Sequence, residues 1–252
     1  MKNQNNELTT AHFRFFGELN DFLPFERRNT TFLYNVKGHP AVKDSLEALR
    51  VPHPEIDGIV INGHPVDFSY QIKERDKVFV YPQGIHLSHL KIKHLQPKIP
   101  SLPKFVLDSH LGKLSRHLRL LGFDSMYKKI FPDQEIILIS IKEKRIVLTR
   151  DIGLLKNKVI RYGYWLRSSD PMKQLKEILK RFNLYLKIKS FSLCLECNGK
   201  IKRVAKRKIV NELPSLVKEY YKEFYQCQDC QKIYWQGSHY ERLNKIVSEV
   251  RR

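Results

Sequence analysis

The sequence lacks any apolar run of the roughly 18 residues that a membrane-spanning helix needs. Its polar beginning, residues 1–10, also lacks the apolar segment of a signal peptide. Only four cysteines occur in 252 residues, and they fall in two close pairs, which is the spacing of metal ligands rather than of the disulfide framework of a secreted domain. We therefore expect a cytoplasmic protein without a membrane partner. With 42% hydrophobic residues, the chain can build the cores of about two or three small domains.

Acidic residues become scarce after residue 85, and this makes the charge distribution uneven. Residues 1–85 hold 10 Lys and Arg against 11 Asp and Glu, whereas residues 86–252 hold the other 36 against 15. The second part therefore accounts for the formal net charge of +20. Such an excess favours a nucleic-acid partner, because each neutralised phosphate releases condensed counterions. A solvated basic surface and a basic membrane-surface helix are the alternatives.

Residues 1–84 show the element order of a small α+β domain. Within them, 41–49 has apolar residues at helical spacing, and 56–62 and 77–81 are β-prone. The resulting β-β-α-β-β order is that of a ubiquitin-like β-grasp domain. A modifier of this fold needs a free C-terminal Gly-Gly, but here the chain continues past Gly84. We therefore expect a binding or structural module, and a partner protein is one candidate ligand.

A basic linker is predicted at residues 85–103. It contains three prolines, which favour a partly stiff and extended path. It also contains His86, His89 and His94, whose irregular spacing favours solvated side chains over a metal site.

Residues 104–188 alternate short apolar strands with helices, which predicts a parallel sheet. The first strand ends in Asp108, a later strand leads into Asp151, and Asp133 opens a helix between them. Because the carboxyl ends of parallel strands meet in one crevice, we expect these three carboxylates to lie together. A divalent cation must then offset their repulsion, and Mg²⁺ or Mn²⁺ would activate water toward a phosphodiester bond.

Each acid also has a structural interpretation. Asp108 and Asp151 could serve as turn residues at strand ends, and Asp133 could stabilise a helix start. Three further acids are more often surface or capping residues, and they are Asp124, Glu135 and Asp170.

Basic and aromatic residues provide the predicted RNA contacts. In residues 111–121 the leucines recur at helical spacing, which leaves the basic side chains on other faces. Residues 200–208 are strongly basic, with a solvated face as the alternative interpretation. We expect phosphate contacts from Lys113, Arg116, Arg119, Arg150, Lys202, Arg203, Lys206 and Arg207. We expect base contacts from Tyr234, Trp235 and His239.

The cysteines form two Cys-x-x-Cys pairs separated by 29 residues: Cys194 and Cys197, then Cys227 and Cys230. This spacing predicts one zinc ion held by four thiolates in a closed, structural site. Free or redox-active cysteines are the alternative. The spacer contains a helix-like segment, 213–225. We therefore assign residues 189–252 to a four-cysteine zinc ribbon.

Five sequence segments in residues 105–240 resemble the Mut-seven C-terminal RNase family, a PIN-like nuclease domain with a zinc ribbon. They are FVLDSHLGKLSRHLRLLGFDS, PDQEI, RIVLTRD, CLECNGK and CQDCQKIYWQGSH. The N-terminal segments resemble the β-grasp module found ahead of some PIN-like RNases. The resemblance implies an α/β fold in which a PIN-like parallel sheet has flanking helices, with the β-grasp domain before it and the ribbon after it.

The resemblance also implies metal-dependent hydrolysis of RNA by Asp108, Asp133 and Asp151. Many PIN sites use a fourth acid, which stays unassigned here because Ile152 and Gly153 follow Asp151. A non-catalytic RNA-binding adaptor with a structural zinc ribbon is the alternative function.

Overall fold

The computed structural model describes residues 8–83 and 93–251. The first elements are β1 (Leu8–Phe15), β2 (Phe32–Lys37), α1 (Val42–Ala48), β3 (Ile56–Ile61), β4 (His64–Val66) and β5 (Lys77–Pro82). Next come β6 (Phe105–Leu107), α2 (Gly112–Leu120), β7 (Ser125–Met126), α3 (Asp133–Glu143), β8 (Ile146–Thr149), α4 (Ile152–Leu155), β9 (Gly163–Trp165) and α5 (Pro171–Arg181). The last elements are β10 (Ile201–Val204), α6 (Lys206–Ile209), α7 (Ser215–Tyr220), β11 (Phe224–Cys227), β12 (Ile233–Tyr234) and α8 (Ser238–Arg251).

The chain divides into two compact units. The first lies within Met1–Ile99, Ser140–Glu143 and Val147–Arg167, and the second within Pro100–Ile139, Lys144–Ile146 and Ser168–Arg252. The predicted linker histidines His86 and His89 lie outside the described residues. No helix in the described ranges combines the length and the apolar composition that a membrane span requires.

Five strands of the first unit form a mixed sheet in the order β2-β1-β5-β3-β4. The strands β1 and β5 run parallel in its centre, and every other pair is antiparallel. Asn62 and Gly63 connect β3 to β4 with φ angles of 51° and 85°, the left-handed conformation that a two-residue hairpin requires. The predicted β-grasp order is present, with β4 as an additional strand.

Alternation along β1 places its apolar side chains on one face of this sheet. Ala11, Phe13 and Phe15 are buried there and pack in one core with Val42 and Leu46 of α1. Burial of each large side chain contributes about 1.5–3 kcal/mol of transfer free energy, so this face stabilises the domain.

The β-grasp domain also packs against β9 within the first unit. The N–H of Trp165 donates to Oε1 of the fully buried Glu55 at 2.6 Å. The Trp165 ring lies 4.9 Å from the ring of Phe22, measured between centroids. A guanidinium nitrogen of Arg167 stands 3.5 Å from Oε2 of Glu55. These contacts make the β-grasp domain a structural support for β9.

Four short strands after residue 104 pair in parallel, two in each unit. In the second unit β7 runs parallel to β6, with Ser125 beside Phe105. In the first unit β9 runs parallel to β8, with Gly163 beside Val147. Both β6 and β8 are buried along their whole length, as expected for strands covered on both faces. The predicted α/β class with a parallel sheet and flanking helices is confirmed.

Helix α2 packs its leucines inward, and Gly122 lies just past its C-terminal end. Leu114 and Leu118 are fully buried, so the 3-4 spacing identified the apolar face correctly. Gly122 has a φ of 87°, and a Cβ there would lie 2.4 Å from the carbonyl oxygen of Lys189. Only glycine permits both this left-handed backbone and this close approach.

The C-terminal part of the second unit contains an antiparallel sheet in the order β10-β11-β12. A small core of Ile209, Leu213 and Phe224 supports it. The predicted helix over 213–225 is wrong in its second half. Helix α7 ends at Tyr220, and Phe224 begins β11 because its fully buried ring completes this core while its backbone pairs with Val204.

Candidate functional site

Four cysteine side chains converge in the second unit, and we name Cys194, Cys197, Cys227 and Cys230 the cysteine centre. Their sulfur atoms all lie within 4.8 Å of one another, with 3.6 Å between Cys194 and Cys230. A disulfide needs about 2.05 Å, so all four are free thiols. Four thiolates at about 2.3 Å from one zinc ion stand about 3.8 Å apart, and the observed spacing fits that tetrahedron. The two predicted pairs thus converge in one group that could hold a metal ion.

Two tight turns present these sulfur atoms. One turn, 194–197, precedes β10, and the other, 227–230, connects β11 to β12. The N–H of Gly199 donates to Sγ of Cys197 at 3.4 Å, and the N–H of Asp229 donates to Sγ of Cys227 at 3.4 Å. These hydrogen bonds hold the two sulfur atoms in place on their turns.

The hydroxyl of Tyr234 belongs to the cysteine centre, a role that the sequence did not indicate. Its Oη lies 3.0 Å from Sγ of Cys194 and accepts a hydrogen bond from the N–H of Leu195 at 3.2 Å. Burial raises the pKa of the Cys194 thiol, but this hydroxyl and neighbouring N–H groups lower it, to about 7 overall. Burial also raises the pKa of Tyr234, which keeps its hydroxyl protonated as a donor. The side chain predicted to stack on bases therefore supports a ligand.

Arg119 was predicted to contact phosphate, and that prediction is wrong. The side chain is 3% exposed, so solvent-borne phosphate has no access to it. Its guanidinium donates to the carbonyl oxygens of Ser125 (2.9 Å), Leu195 (3.0 Å) and Glu196 (2.7 Å). The last two carbonyls belong to the turn that carries Cys194 and Cys197. Arg119 therefore attaches the first cysteine turn to α2.

A second set of hydrogen bonds attaches the same turn to the parallel sheet. Oδ1 of Asn198 accepts from the N–H of Ser125 at 2.9 Å, and Nδ2 of Asn198 donates to Asp124 at 2.6 Å. Arg145, which is buried, donates to both carboxylate oxygens of Asp124 at 2.6 and 3.2 Å. Although burial alone would raise the pKa of Asp124, these donors lower it below its usual value, so the carboxylate is charged. The ribbon and the α2 region thus share one buried polar network.

We expect Arg119→Met to lower the free energy of unfolding by about 3 kcal/mol or more, because it leaves three carbonyl oxygens, two of them buried, without their donor. Arg116→Met is the matched control on the same helix. Arg116 is exposed and forms one ion pair with Glu196 at 3.3 Å, so its loss should cost less than about 1 kcal/mol. Urea unfolding of both variants measures the difference. Equal losses would contradict the structural role of Arg119.

The first two predicted catalytic acids belong to the second unit. Asp108 directly follows β6, is 8% exposed, and accepts a hydrogen bond from the hydroxyl of Ser109 at 3.1 Å. Asp133 is exposed and is the first residue of α3. A carboxylate at this helix start also interacts favourably with the helix dipole, so the structural interpretation of Asp133 stands beside the catalytic one.

The third predicted acid, Asp151, belongs to the first unit and caps α4. Its Oδ1 accepts from the N–H of Gly153 at 2.7 Å, and its own N–H donates to Oγ1 of Thr149 at 2.8 Å. Thr149 therefore orients the backbone of Asp151. In the same unit the indole N–H of Trp165 donates to the carbonyl of Arg150 at 3.1 Å. The strand that the β-grasp domain supports thus holds the residue before Asp151.

Each of the three acids that the sequence favoured as surface or capping residues has a structural partner. Asp170 caps α5 by accepting from the N–H groups of Met172 and Lys173, and Glu135 forms an ion pair with Lys128. Asp124 belongs to the network around Asn198.

Within residues 8–83 and 93–251, the cysteine centre is the one group of three or more His, Cys, Asp or Glu residues whose ligand atoms lie within 4.8 Å of one another. Because Asp151 belongs to the first unit, whereas Asp108 and Asp133 belong to the second, their sharing of one divalent ion stays a prediction.

The remaining predicted RNA contacts differ in exposure. Lys206 is half-buried, and its ammonium donates to the carbonyls of Lys218 and Tyr221, so it holds the spacer between the cysteine turns. Trp235 is half-buried and packs against the small core of the ribbon. The other side chains are exposed, and their contact with RNA stays a prediction: Lys113, Arg116, Arg150, Lys202, Arg203, Arg207 and His239.

These features define an α/β protein with an N-terminal β-grasp domain and a C-terminal region that carries a four-cysteine cluster. Comparison with family models matches residues 103–247 to the Mut7-C RNAse domain and residues 8–87 to the Mut7-C ubiquitin domain. The first match spans more than half of the chain, which therefore belongs to the Mut7-C RNase domain family. The family resemblance inferred from the sequence is confirmed. Comparison with curated proteins and with solved structures gave no match.

Proposed function

We propose that this protein is a metal-dependent ribonuclease that hydrolyses RNA phosphodiester bonds through Asp108, Asp133 and Asp151. The observation that carries the proposal is the match of residues 103–247 to an RNAse domain. The positions of the acids support it, because Asp108 follows β6 directly and Asp151 comes two residues after β8. Carboxylates that follow parallel strands are typical of sites in the crevice at the strand ends.

In this proposal the three carboxylates bind Mg²⁺ or Mn²⁺, since oxygen ligands suit these hard cations. The cation supplies an activated water and offsets the charge of the scissile phosphate. The chain positions the carboxylates and attracts the RNA. Lys113, Arg116 and Arg150 are exposed near these acids in sequence and contact neighbouring phosphates.

We further propose that the cysteine centre binds one structural Zn²⁺. Four thiolate ligands leave no open position for a substrate, so this ion serves folding rather than catalysis. The exposed Lys202, Arg203, Arg207 and His239 extend the RNA-binding surface over the ribbon. The β-grasp domain supports β9 in cis, and docking of a partner protein is an additional role for it. The protein acts in the cytoplasm.

A non-catalytic RNA-binding adaptor is the second candidate function. The observation in its favour is that, among the described residues, the cysteines alone form a tight group of metal ligands. An adaptor needs the basic surface and the zinc ribbon but no divalent ion at the acids.

Incubation of the purified protein with total cellular RNA tests these alternatives. One reaction contains Mn²⁺ and the other contains no divalent cation in excess of the bound zinc. The ribonuclease proposal predicts new RNA ends in the first reaction only, and sequencing of those ends identifies the cleaved RNA. RNA that is bound but stays intact in both reactions would support the adaptor instead.

A further inference from the structure

A cavity of about 540 Å³ lies in the second unit beside the cysteine centre. Its volume falls within the range of about 300–1,000 Å³ that is usual for small-molecule sites. Three lysines line it, and we name it the lysine cavity after Lys104, Lys200 and Lys202. Lys104 precedes β6, whereas the other two lie at β10, so distant stretches of sequence bring these charges together. All three side chains are exposed.

The lysine charges are only partly balanced by the acids of the cavity. Asp124 is held by Arg145 and Asn198, and Nζ of Lys104 stands 4.0 Å from its carboxylate. Within the described ranges, Lys200 and Lys202 form no ion pair. The cavity therefore keeps cationic groups available, and such groups attract phosphate.

The remaining walls suit a nucleobase. Leu102, Pro103 and Leu193 provide apolar surface, and Leu102 is 56% exposed at the rim. Gln228 and Asp229 also line the cavity, and both side chains are exposed. An amide and a carboxylate can pair with the donors and acceptors on a base edge. Such edges are accessible in single-stranded RNA, where bases are not paired.

We propose that the lysine cavity binds one unpaired nucleotide of single-stranded RNA, with its phosphates on the lysines and its base against Leu102 and Leu193. The cavity is separate from the proposed cleavage site, because Lys104 precedes β6 and Asp108 follows it. Four residues of extended strand span about 13 Å. The proposal takes from the proposed function only that RNA is the ligand, and it does not depend on cleavage.

The test compares two triple variants that change the net charge equally. Lys104→Ala, Lys200→Ala and Lys202→Ala are combined in one protein. Lys173→Ala, Lys180→Ala and Lys245→Ala, all exposed lysines of the same unit, form the matched control. Binding of a labelled single-stranded RNA of 15 or so nucleotides is measured by fluorescence anisotropy without added divalent cation. Melting temperature and zinc content verify that both proteins are folded.

We expect the cavity variant to raise the Kd by about tenfold or more and the control by less than about threefold. The salt dependence, as the slope of log K against log salt, should fall by about 0.7 for each lost phosphate contact. Asp229→Asn should change the preference among single bases without changing that slope, because it alters a base contact and not a phosphate contact. Equal loss of affinity in both triple variants would overturn the proposal, since a general basic surface explains it.

Two further outcomes separate the ligand classes and the two proposals. One such outcome is a parent protein that binds duplex RNA as tightly as single-stranded RNA of the same length, with a cavity variant that loses both affinities equally. This outcome would contradict binding of an unpaired base. If an acidic peptide displaces RNA from the parent protein but not from the cavity variant, the cavity binds a protein partner instead. A parent protein that binds RNA through the cavity but never cleaves refutes only the ribonuclease proposal. A cavity variant that cleaves RNA with unchanged KM and kcat refutes only the proposed nucleotide site in the cavity.

Discussion

Replacement of Asp108 or Asp151 by Asn is expected to lower the rate of RNA cleavage by about a thousandfold or more, with little effect on folding or RNA binding. A catalytic divalent ion contributes several kcal/mol to stabilisation of the transition state, and each 1.4 kcal/mol corresponds to about tenfold in rate. Asn preserves the shape of Asp and its acceptor oxygen. The hydrogen bonds from Ser109 to residue 108 and from Gly153 to residue 151 can therefore persist.

Asp170→Asn is the matched control for both substitutions. Asp170 caps α5, and Asn caps a helix about as well as Asp does, so this variant should cleave within about twofold of the parent rate. Single-turnover cleavage of a labelled RNA at saturating Mn²⁺ gives the rates, and anisotropy gives the affinities. Parent-like rates in both the Asp108 and the Asp151 variants would show that the active site lies elsewhere.

Loss of zinc is expected to unfold the ribbon and destabilise the rest of the second unit. Structural zinc contributes about 10 kcal/mol or more to folding in small zinc domains, which is comparable to the total stability of a domain. Without the ion, four sulfur atoms within 4.8 Å of one another cannot all remain thiolates, because their charges repel. Arg119 bonds to the first cysteine turn and Asn198 directly follows that turn, so disorder of the turn would also remove their hydrogen bonds.

Cys227→Ser and treatment with a zinc chelator test this expectation, with Gln236→Ala as an exposed control six residues after the last cysteine. Metal analysis should find one zinc ion per parent chain and less in the Cys227 variant. Thermal unfolding should show a large decrease of Tm in the variant and in the chelated parent but not in the control. An unchanged Tm after verified loss of zinc would contradict a structural role for the ion.

Local sequence patterns predicted structural features correctly where interactions between residues close in sequence determine them. The spacing of Leu114 and Leu118 identified the buried face of α2, and Gly122 ended that helix because its left-handed backbone excludes other residues. The two Cys-x-x-Cys pairs predicted one metal group, since each pair already places two sulfurs on one turn. Such signals need only residues within a few positions of each other.

Patterns failed where the partner of a side chain is distant in sequence. Arg119 was assigned to phosphate because a charged residue on a helix is usually solvated. Its acceptors, the carbonyls of Leu195 and Glu196, lie more than 70 positions away, and no local signal indicates them. Phe224 was assigned to a helix because no local signal indicates its partners. Its burial against Ile209 and Leu213 determines that it lies in a strand.

The sequence by itself determined the α/β class, the β-grasp order, the cysteine pairs and the family, because periodicity, turn residues and motif spacing are properties of short segments. The tertiary structure alone decided that Arg119 and Asn198 attach the ribbon to the α2 region, and that Glu55 binds the backbone of β9. It also brought Lys104 to the same cavity as Lys200 and Lys202. Each of these depends on burial and hydrogen bonding between segments far apart in the chain, which become neighbours only when the whole chain has folded.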